Sequence, residues 1–262
     1  LDAGLWHSWD SGETWQPAGE GIAQAMVMAV AANPLEPVGT GSVLYAGTEP
    51  SAFYRSEDGG ATWQERHALL DLPSKSRWSF PPRPYTSHVR WITPDPLEAG
   101  LIYVCIEAGA LVKSPDGGQT WIDRTPDGPW DTHTLAAHPA APGRLYSAAG
   151  DGFMAPGNGY CESRDRAASW QHPDDGLRHH YLWSVAVDPG NPDTVLVSAS
   201  RGPREAHDTP TAESYMYYRL PGQPWAQATD GLPEPKGTGI WAVAVNADEA
   251  GTFYAVSNRG PV

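Results

Sequence analysis

The chain has 262 residues and a formal net charge of −14 at pH 7, and it contains 28 Gly, 26 Pro and 12 Trp. This length can bury a large core, and so many turn residues beside large aromatics favour short strands over helices. The acidic balance and the lack of a basic stripe argue against nucleic acid or an anionic membrane as partner, and no apolar run is long enough to span a bilayer.

The first pattern along the chain is an octapeptide, S-x-D-x-G-x-T-W, that returns as the chain proceeds. Its aspartate can accept backbone N–H groups in a turn, its glycine supplies a positive φ, and its tryptophan is large enough to fill a wedge between strands. We therefore interpret these residues as structural rather than catalytic, and expect the tryptophans to be largely buried. The copies are Ser8, Asp10, Gly12, Thr14 and Trp15; Ser56, Asp58, Gly60, Thr62 and Trp63; Ser114, Asp116, Gly118, Thr120 and Trp121; a decayed copy with Asp165 and Trp170; and a more worn one ending at Trp225.

A second phrase alternates with the octapeptide. Each copy has a short apolar strand, a turn and a second strand that ends in small residues. Its turns fall at Asn33-Pro34, Asp95-Pro96, His138-Pro139, Asp188-Pro189 and Asn246-Ala247. With the two strands around each octapeptide, one repeat gives four antiparallel strands. The tryptophans recur roughly every 50 residues, close to the period of one propeller blade.

The octapeptide resembles the Asp-box of BNR repeats, found in sialidases, sortilin-type receptors, some xyloglucan-cleaving glycosidases and photosystem-assembly propellers. The resemblance implies an all-β fold, a β-propeller of four-stranded antiparallel blades, with the Asp-boxes at the blade edge and away from the active face. We expect a single β-propeller domain over residues 1–262. Its blade portions are approximately 1–18, 22–66, 85–124, 130–172, 181–228 and 238–262.

The number of blades stays open at this point. Residues 1–18 hold only an outer pair of strands and residues 238–262 only an inner pair, so pairing them would complete a fifth blade. The chain starts without Met, which favours a trimmed piece of a propeller with six or seven blades.

Candidate site residues are found by comparing equivalent positions of the repeats. A position that is small or apolar in every repeat indicates core packing, whereas one whose side chains vary and include polar groups indicates a binding or catalytic site. Two positions of the repeat have this varied, polar chemistry, and so do the ends of the second strands. They predict a ligand site at the mouth of the central channel. The alternative is that these residues pair with one another and hold the blades together. The candidates are His88, Arg90, His133, Trp183, Trp241, Arg201 and Arg259 for ligand binding, and Glu49, Glu107, Asp131, Asp151 and Tyr181 for catalysis.

Two long loops, residues 67–87 and 201–214, are expected to rise over the same face, because long loops in compact domains are commonly functional. A metal held by His88, His133 and His180 with a glutamate lacks any recognised ligand spacing, so we predict no metal and no cofactor. Cys105 and Cys161 form no CxxC motif; two buried thiols are expected, with a disulfide left open.

Two functions remain. The first is a ligand-binding propeller without catalysis, whose partner is a carbohydrate, an anionic small molecule or a protein. The second is a glycoside hydrolase. There the resemblance to sialidases implies a carboxylate clamp, a Tyr–Glu nucleophile and an aspartic acid/base, although the R-I-P phrase of that family is absent. The implied residues are Arg90, Arg201 and Arg259 as the clamp, Tyr181 with Glu107 or Glu49 as the nucleophile, and Asp131 or Asp151 as the acid. The sequence does not indicate a compartment.

Overall fold

The computed structural model describes residues 4–39, 41–81 and 83–261. Outside the described residues lie 1–3, Thr40, Pro82 and Val262. They include the ends of the first and last predicted blade portions and one residue of the predicted loop 67–87. The chain divides into two compact units, Leu1–Arg124 and Thr125–Val262. The expectation of a single domain over 1–262 stays a prediction.

The first unit contains three antiparallel sheets of two, four and three strands. Two 3₁₀ turns, His67–Asp71 and Pro73–Arg77, lie in the predicted long loop. Leu69 and Trp78 of that loop join the buried core around the third sheet. The sheets are β1 (Trp6–His7) and β2 (Gln16–Pro17); β3 (Met26–Val38), β4 (Gly41–Glu49), β5 (Phe53–Ser56) and β6 (Gln64–Glu65); and β7 (Val89–Pro94), β8 (Ile102–Ile106) and β9 (Ala110–Ser114).

The second unit contains sheets of three, four and three strands. Its short helices are the 3₁₀ turns Gly150–Phe153 and Thr209–Thr211 and the helix α1 (Pro203–His207). The described part of the chain has no helix with the length and apolar character of a membrane span. The sheets are β10 (Thr132–Ala137), β11 (Leu145–Ala149) and β12 (Tyr160–Ser163); β13 (Tyr181–Val187), β14 (Val195–Ser200), β15 (Ser214–Arg219) and β16 (Ala226–Ala228); and β17 (Ile240–Ala244), β18 (Tyr254–Ser257) and β19 (Gly260–Pro261).

The sheets are less uniform than the predicted four-stranded blades. In two of the three-stranded sheets, a single bridge, Lys113 to Ile122 or Glu162 to Gln171, stands where the fourth strand was expected. In the second case Pro173 follows two residues later, and proline cannot donate to a strand ladder. The last portion, predicted as an inner pair, has the third strand β19.

Strand β3 also departs from the prediction. It continues through Asn33 and Pro34, where a turn was expected, with an irregular register between Asn33 and Pro37. The Asn33 side chain still forms a local turn contact, because its Oδ1 accepts a hydrogen bond from the Leu35 amide at 3.1 Å. The turn chemistry is therefore present, but it bends a strand instead of ending it.

The octapeptides share one hydrogen-bond pattern. In the second copy, Asp58 Oδ1 accepts from the Thr62 amide at 2.9 Å and Oδ2 accepts from the Thr62 hydroxyl at 2.6 Å. Ser56 Oγ accepts from the Gly60 amide at 2.8 Å, and Gly60 has a φ of 94°, which favours glycine. The same bonds form around Asp10, Asp116 and Asp165.

Burial of the octapeptide tryptophans differs between copies. Trp63 and Trp170 are 4% and 7% exposed, and Trp121 is partly buried against the first core. The prediction is wrong for Trp15, which is 59% exposed. Among the described residues its hairpin, β1 and β2, pairs with no further strand, so the sheet offers little to cover the ring.

The Asp58 carboxyl gives a first testable prediction. Hydrogen bonds from the Thr62 hydroxyl and amide lower its pKa from 3.8 to about 2. We expect Thr62→Val to raise this pKa towards 3.8, as followed by NMR of the carboxyl carbon during an acid titration. Because the folded-state pKa is depressed, the stabilisation is complete above the unfolded pKa and is lost as the pH falls through about 2.

The matched control is Thr14→Val, which removes the same hydroxyl from Asp10, whose pKa is also about 2. It should shift Asp10 and leave Asp58 unchanged. An unchanged Asp58 titration in Thr62→Val would contradict this account of the turn.

Candidate functional site

In the first unit, the predicted site residues gather around the buried ring of His88. His88 Nε2 lies 2.6 Å from Glu107 Oε2, and Nδ1 lies 3.4 Å from Glu49 Oε2. Arg90 Nε lies 3.4 Å from the same Glu107 oxygen, and Phe80 packs edge-on against the His88 ring. All four predicted residues of this unit are therefore brought together.

This arrangement bears on the glycosidase alternative. A pair of catalytic carboxyl groups must leave room between them for the sugar or for water. Here one imidazole ring stands between Glu49 and Glu107, with a ring nitrogen directed at each. In this geometry the residues pair with one another, and their role in holding the blades together stays a prediction.

In the second unit, His133, Tyr181 and His207 form a line of polar contacts. His133 Nδ1 lies 2.6 Å from the Leu182 carbonyl oxygen, which can only accept, so Nδ1 carries the hydrogen. When the ring is neutral, Nε2 is therefore an acceptor, and the Tyr181 hydroxyl lies 3.4 Å from it. The same hydroxyl lies 2.8 Å from His207 Nε2. His133 is fully buried and His207 exposed, so the line runs from the interior to the surface.

Aromatic rings form the walls around this line. Trp183 lies 4.6 Å from the His133 ring and 4.5 Å from the His207 ring, centroid to centroid. Phe153, half-exposed, meets Tyr181 edge-on at 6.4 Å. We call the set His133, Tyr181, Trp183, His207 and Phe153 the aromatic site.

The helix α1 holds part of this site in place. Trp241 donates from its indole nitrogen to the Ala206 carbonyl at 2.7 Å, and His207 follows in the chain. The predicted residues Trp183 and Trp241 therefore meet residues of the same helix. Their convergence follows from the repeat, because they occupy one equivalent position in successive sheets, β13 and β17.

Two carboxyl groups accompany the aromatic site. Asp131 Oδ2 lies 3.7 Å from His133 Nε2, and its side chain is 22% exposed. Asp151 Oδ2 accepts from the amides of Trp130 and Asp131 at 3.0 and 2.9 Å. Burial raises the pKa of Asp151, and the nearby charge of Asp131 acts in the same direction. The two carboxyl groups thus have different environments.

The remaining predicted arginines engage other partners. Arg201 Nη2 lies 3.1 Å from Glu213 Oε1, and Arg259 donates to the carbonyls of Gly237 and Lys236 at 3.3 and 3.2 Å. A clamp that includes Arg90, and a meeting of the candidates of both units at one channel mouth, stay predictions.

Comparison of the repeats missed two members of the aromatic site, His207 and Phe153. His207 lies in the long loop 201–214, and Phe153, 52% exposed, is followed in the chain by Met154, 84% exposed. The signal was available, since two large apolar residues follow Gly150, Asp151 and Gly152 in a turn-rich segment. It was missed because no other repeat has a matching insertion.

Comparison with solved structures identifies the fold. An ancestral GH74 enzyme superposes with a TM-score of 0.73 at 17% identity, covering 99% of this chain and 34% of that chain. The GH74 xyloglucanase from Xanthomonas campestris gives 0.60 at 19% identity, over 84% of this chain and 34% of that one. YCF48 from Cyanidioschyzon merolae gives 0.56 at 12% identity, over 90% and 65%. These are β-propeller proteins.

The likeness concerns the fold alone, because all three identities are below 25%. The chain spans about a third of the length of the two GH74 enzymes. No family model and no curated protein sequence matches it. The nearly all-β, antiparallel architecture is thus of the β-propeller type.

Proposed function

We propose that this chain binds carbohydrate at the aromatic site, without a cofactor. The observation that carries the proposal is the partly exposed Trp183 ring, which lies between buried His133 and exposed His207, the two ends of the line of hydrogen-bonding groups. Sugar rings present apolar C–H faces and hydroxyl edges, so they need an aromatic surface and polar groups side by side.

The polar groups suit a ligand with hydroxyl groups. Asp131 is partly exposed and can accept from two hydroxyls, and the His207 ring stands at the surface with Tyr181 behind it. Each is held by other side chains, so little conformational freedom is lost on binding. The xyloglucanase among the fold neighbours acts on a polysaccharide, which agrees with a sugar ligand.

Trp183→Ala tests the proposal. A glycan array first identifies a ligand, and isothermal titration then measures its affinity. We expect the substitution to weaken binding about tenfold or more, because an aromatic contact of this kind contributes on the order of 1.5 kcal/mol. The control is Trp9→Ala, which removes a tryptophan that is 78% exposed on the first hairpin. Equal affinity in both variants would contradict carbohydrate binding at the aromatic site.

Hydrolysis of the bound sugar is the second candidate, and Asp151 favours it. A carboxyl whose pKa is raised by burial, beside a second carboxyl in a more open setting, is the pattern of a general acid and its partner. In the same titrations, release of reducing sugar would support hydrolysis if Asp151→Asn abolishes it and leaves binding intact. Binding without any release supports the non-catalytic proposal.

A further inference from the structure

A pocket of about 400 Å³ lies in the second unit, and none of the residues of the aromatic site lines it. This volume is at the lower end of the range for small-molecule sites. Three of the 17 Lys and Arg residues of this strongly acidic chain line the pocket. Its charged lining residues are Arg144, Arg164, Arg219, Glu162, Asp175 and Asp193.

The three arginines converge on the buried carboxylate of Glu162. Arg144 Nε and Arg164 Nη2 lie 3.0 and 2.9 Å from Oε1, and Arg219 Nη2 lies 2.7 Å from Oε2. Glu162 itself is 2% exposed, so a ligand cannot reach it. It acts as an internal counterion that fixes the positions of the guanidinium groups around the pocket.

The arginines of this network outnumber the carboxylates that they contact. Apart from Glu162, the only carboxylate that an arginine of the network contacts among the described residues is that of Asp193, 2.6 Å from Arg144 Nη1. Three arginines therefore contact two carboxylates, and the third carboxylate of the lining, that of Asp175, contacts none of them among the described residues.

The first unit provides an internal comparison. Arg55 pairs across the strands with Tyr45, as Glu162 pairs with Tyr146. There the cations Arg55 and Arg66 meet two anions, Glu36 and Glu57. The equivalent network can thus be built with as many carboxylates as arginines, so packing alone does not require the third arginine of the second unit.

Hydrogen-bond donors remain at the pocket. Arg219 donates to described residues through Nη2 only, and Arg164 through Nε and Nη2. Arg219 Nε and Nη1 and Arg164 Nη1 have no hydrogen-bond partner among the residues that the structure describes. A guanidinium group has the planar, forked geometry that matches a carboxylate.

We propose that this pocket binds a small monocarboxylate that carries hydroxyl groups, which is the chemistry of a uronic acid. The open donors of Arg164 and Arg219 suit one forked carboxylate, and the carboxylate of Asp175 in the lining disfavours a doubly charged phosphate. The amides of Gln171 and Gln223 and the carboxylate of Asp175 also line the pocket, and these groups can donate to and accept from hydroxyls. The proposal does not depend on the aromatic site.

Isothermal titration of the intact chain with sodium glucuronate tests this inference, with glucose and inorganic phosphate as comparison ligands. Glucuronate should bind, and glucose, which lacks the carboxylate, should not bind detectably. Arg164→Gln should weaken glucuronate binding about tenfold or more, because it removes a charge-assisted donor. Arg164 is 63% exposed, so the fold should survive, as a thermal melt would verify.

The matched control is Arg166→Gln, which makes the same charge change on the same turn at an exposed residue that does not line the pocket. It should leave the affinity unchanged, and so should Trp183→Ala, which separates this proposal from carbohydrate binding at the aromatic site. No binding of glucuronate, equal affinities in Arg164→Gln and Arg166→Gln, or phosphate binding as tight as glucuronate would each overturn the proposal.

Discussion

Trp63→Ala is expected to lower the free energy of unfolding by about 3–5 kcal/mol, whereas Trp15→Ala should lower it by less than about 1 kcal/mol. Both residues end the same octapeptide. Trp63 is 4% exposed and packs with Ala46 and Tyr54, while Trp15 is 59% exposed. Urea denaturation followed by circular dichroism measures both free energies of unfolding. The comparison is matched, because each substitution is Trp→Ala in the same octapeptide turn.

Trp63 also forms a buried side-chain hydrogen bond, which Trp63→Ala removes. Its indole nitrogen donates to the Ala18 carbonyl at 2.6 Å, and its amide donates to the Glu20 carbonyl at 2.8 Å. A Cβ on Gly21 would lie 2.2 Å from the Trp63 carbonyl oxygen, so this segment approaches closely only because residue 21 is glycine. Equal destabilisation by the two substitutions would show that the octapeptide turn, and not the packing of the ring, stabilises the sheet.

Glu162→Gln is expected to cost about 3–5 kcal/mol, because it leaves three arginines around a buried group without charge. The control is Glu57→Gln, at a glutamate that is 63% exposed and also contacts arginine, where a loss below about 1 kcal/mol is expected. Chemical denaturation at pH 7 measures both. A loss at position 162 no larger than at position 57 would contradict the assigned role of the buried carboxylate.

The same residue predicts a dependence on pH. Burial alone would raise the pKa of Glu162, but hydrogen bonds from Arg144 and Arg219 outweigh burial and hold it below its usual range. A depressed folded-state pKa gives stability that is present above the unfolded pKa and is lost as the pH falls through the folded one. Glu162→Gln should therefore flatten the acid limb of the stability profile.

Much of the strand pattern was accessible from the sequence, because local chemistry determines it. The octapeptide turns and the apolar phrases depend on residues within a few positions of one another, such as Asp58 with Thr62. The structure departs from the prediction where burial of a side chain depends on the neighbouring sheet. The sequence around Trp15 and Trp63 is alike, yet only the second ring is covered, and no feature within the octapeptide distinguishes them.

The sites show the same division. Comparison of equivalent repeat positions found residues that are in contact in the structure. His88 and Arg90 contact Glu107, and His133 packs against Trp183. Comparison of repeat positions did not find two groups. Phe153 lies in an insertion outside the repeat, and the arginine pocket is built from Arg144, Arg164 and Arg219, which occupy different repeat positions and meet only through Glu162.

The central claim, carbohydrate binding at the aromatic site, is tested most directly by NMR of the tryptophan indole groups during titration with the glycan that the array identifies. The chain has 12 Trp, and each indole N–H reports its own surroundings. The account predicts that the Trp183 and Trp241 signals shift in proportion to occupancy, while those of the exposed Trp9 and Trp15 remain in place. Shifts confined to the tryptophans of the first hairpin, with Trp183 and Trp241 unchanged, would contradict it.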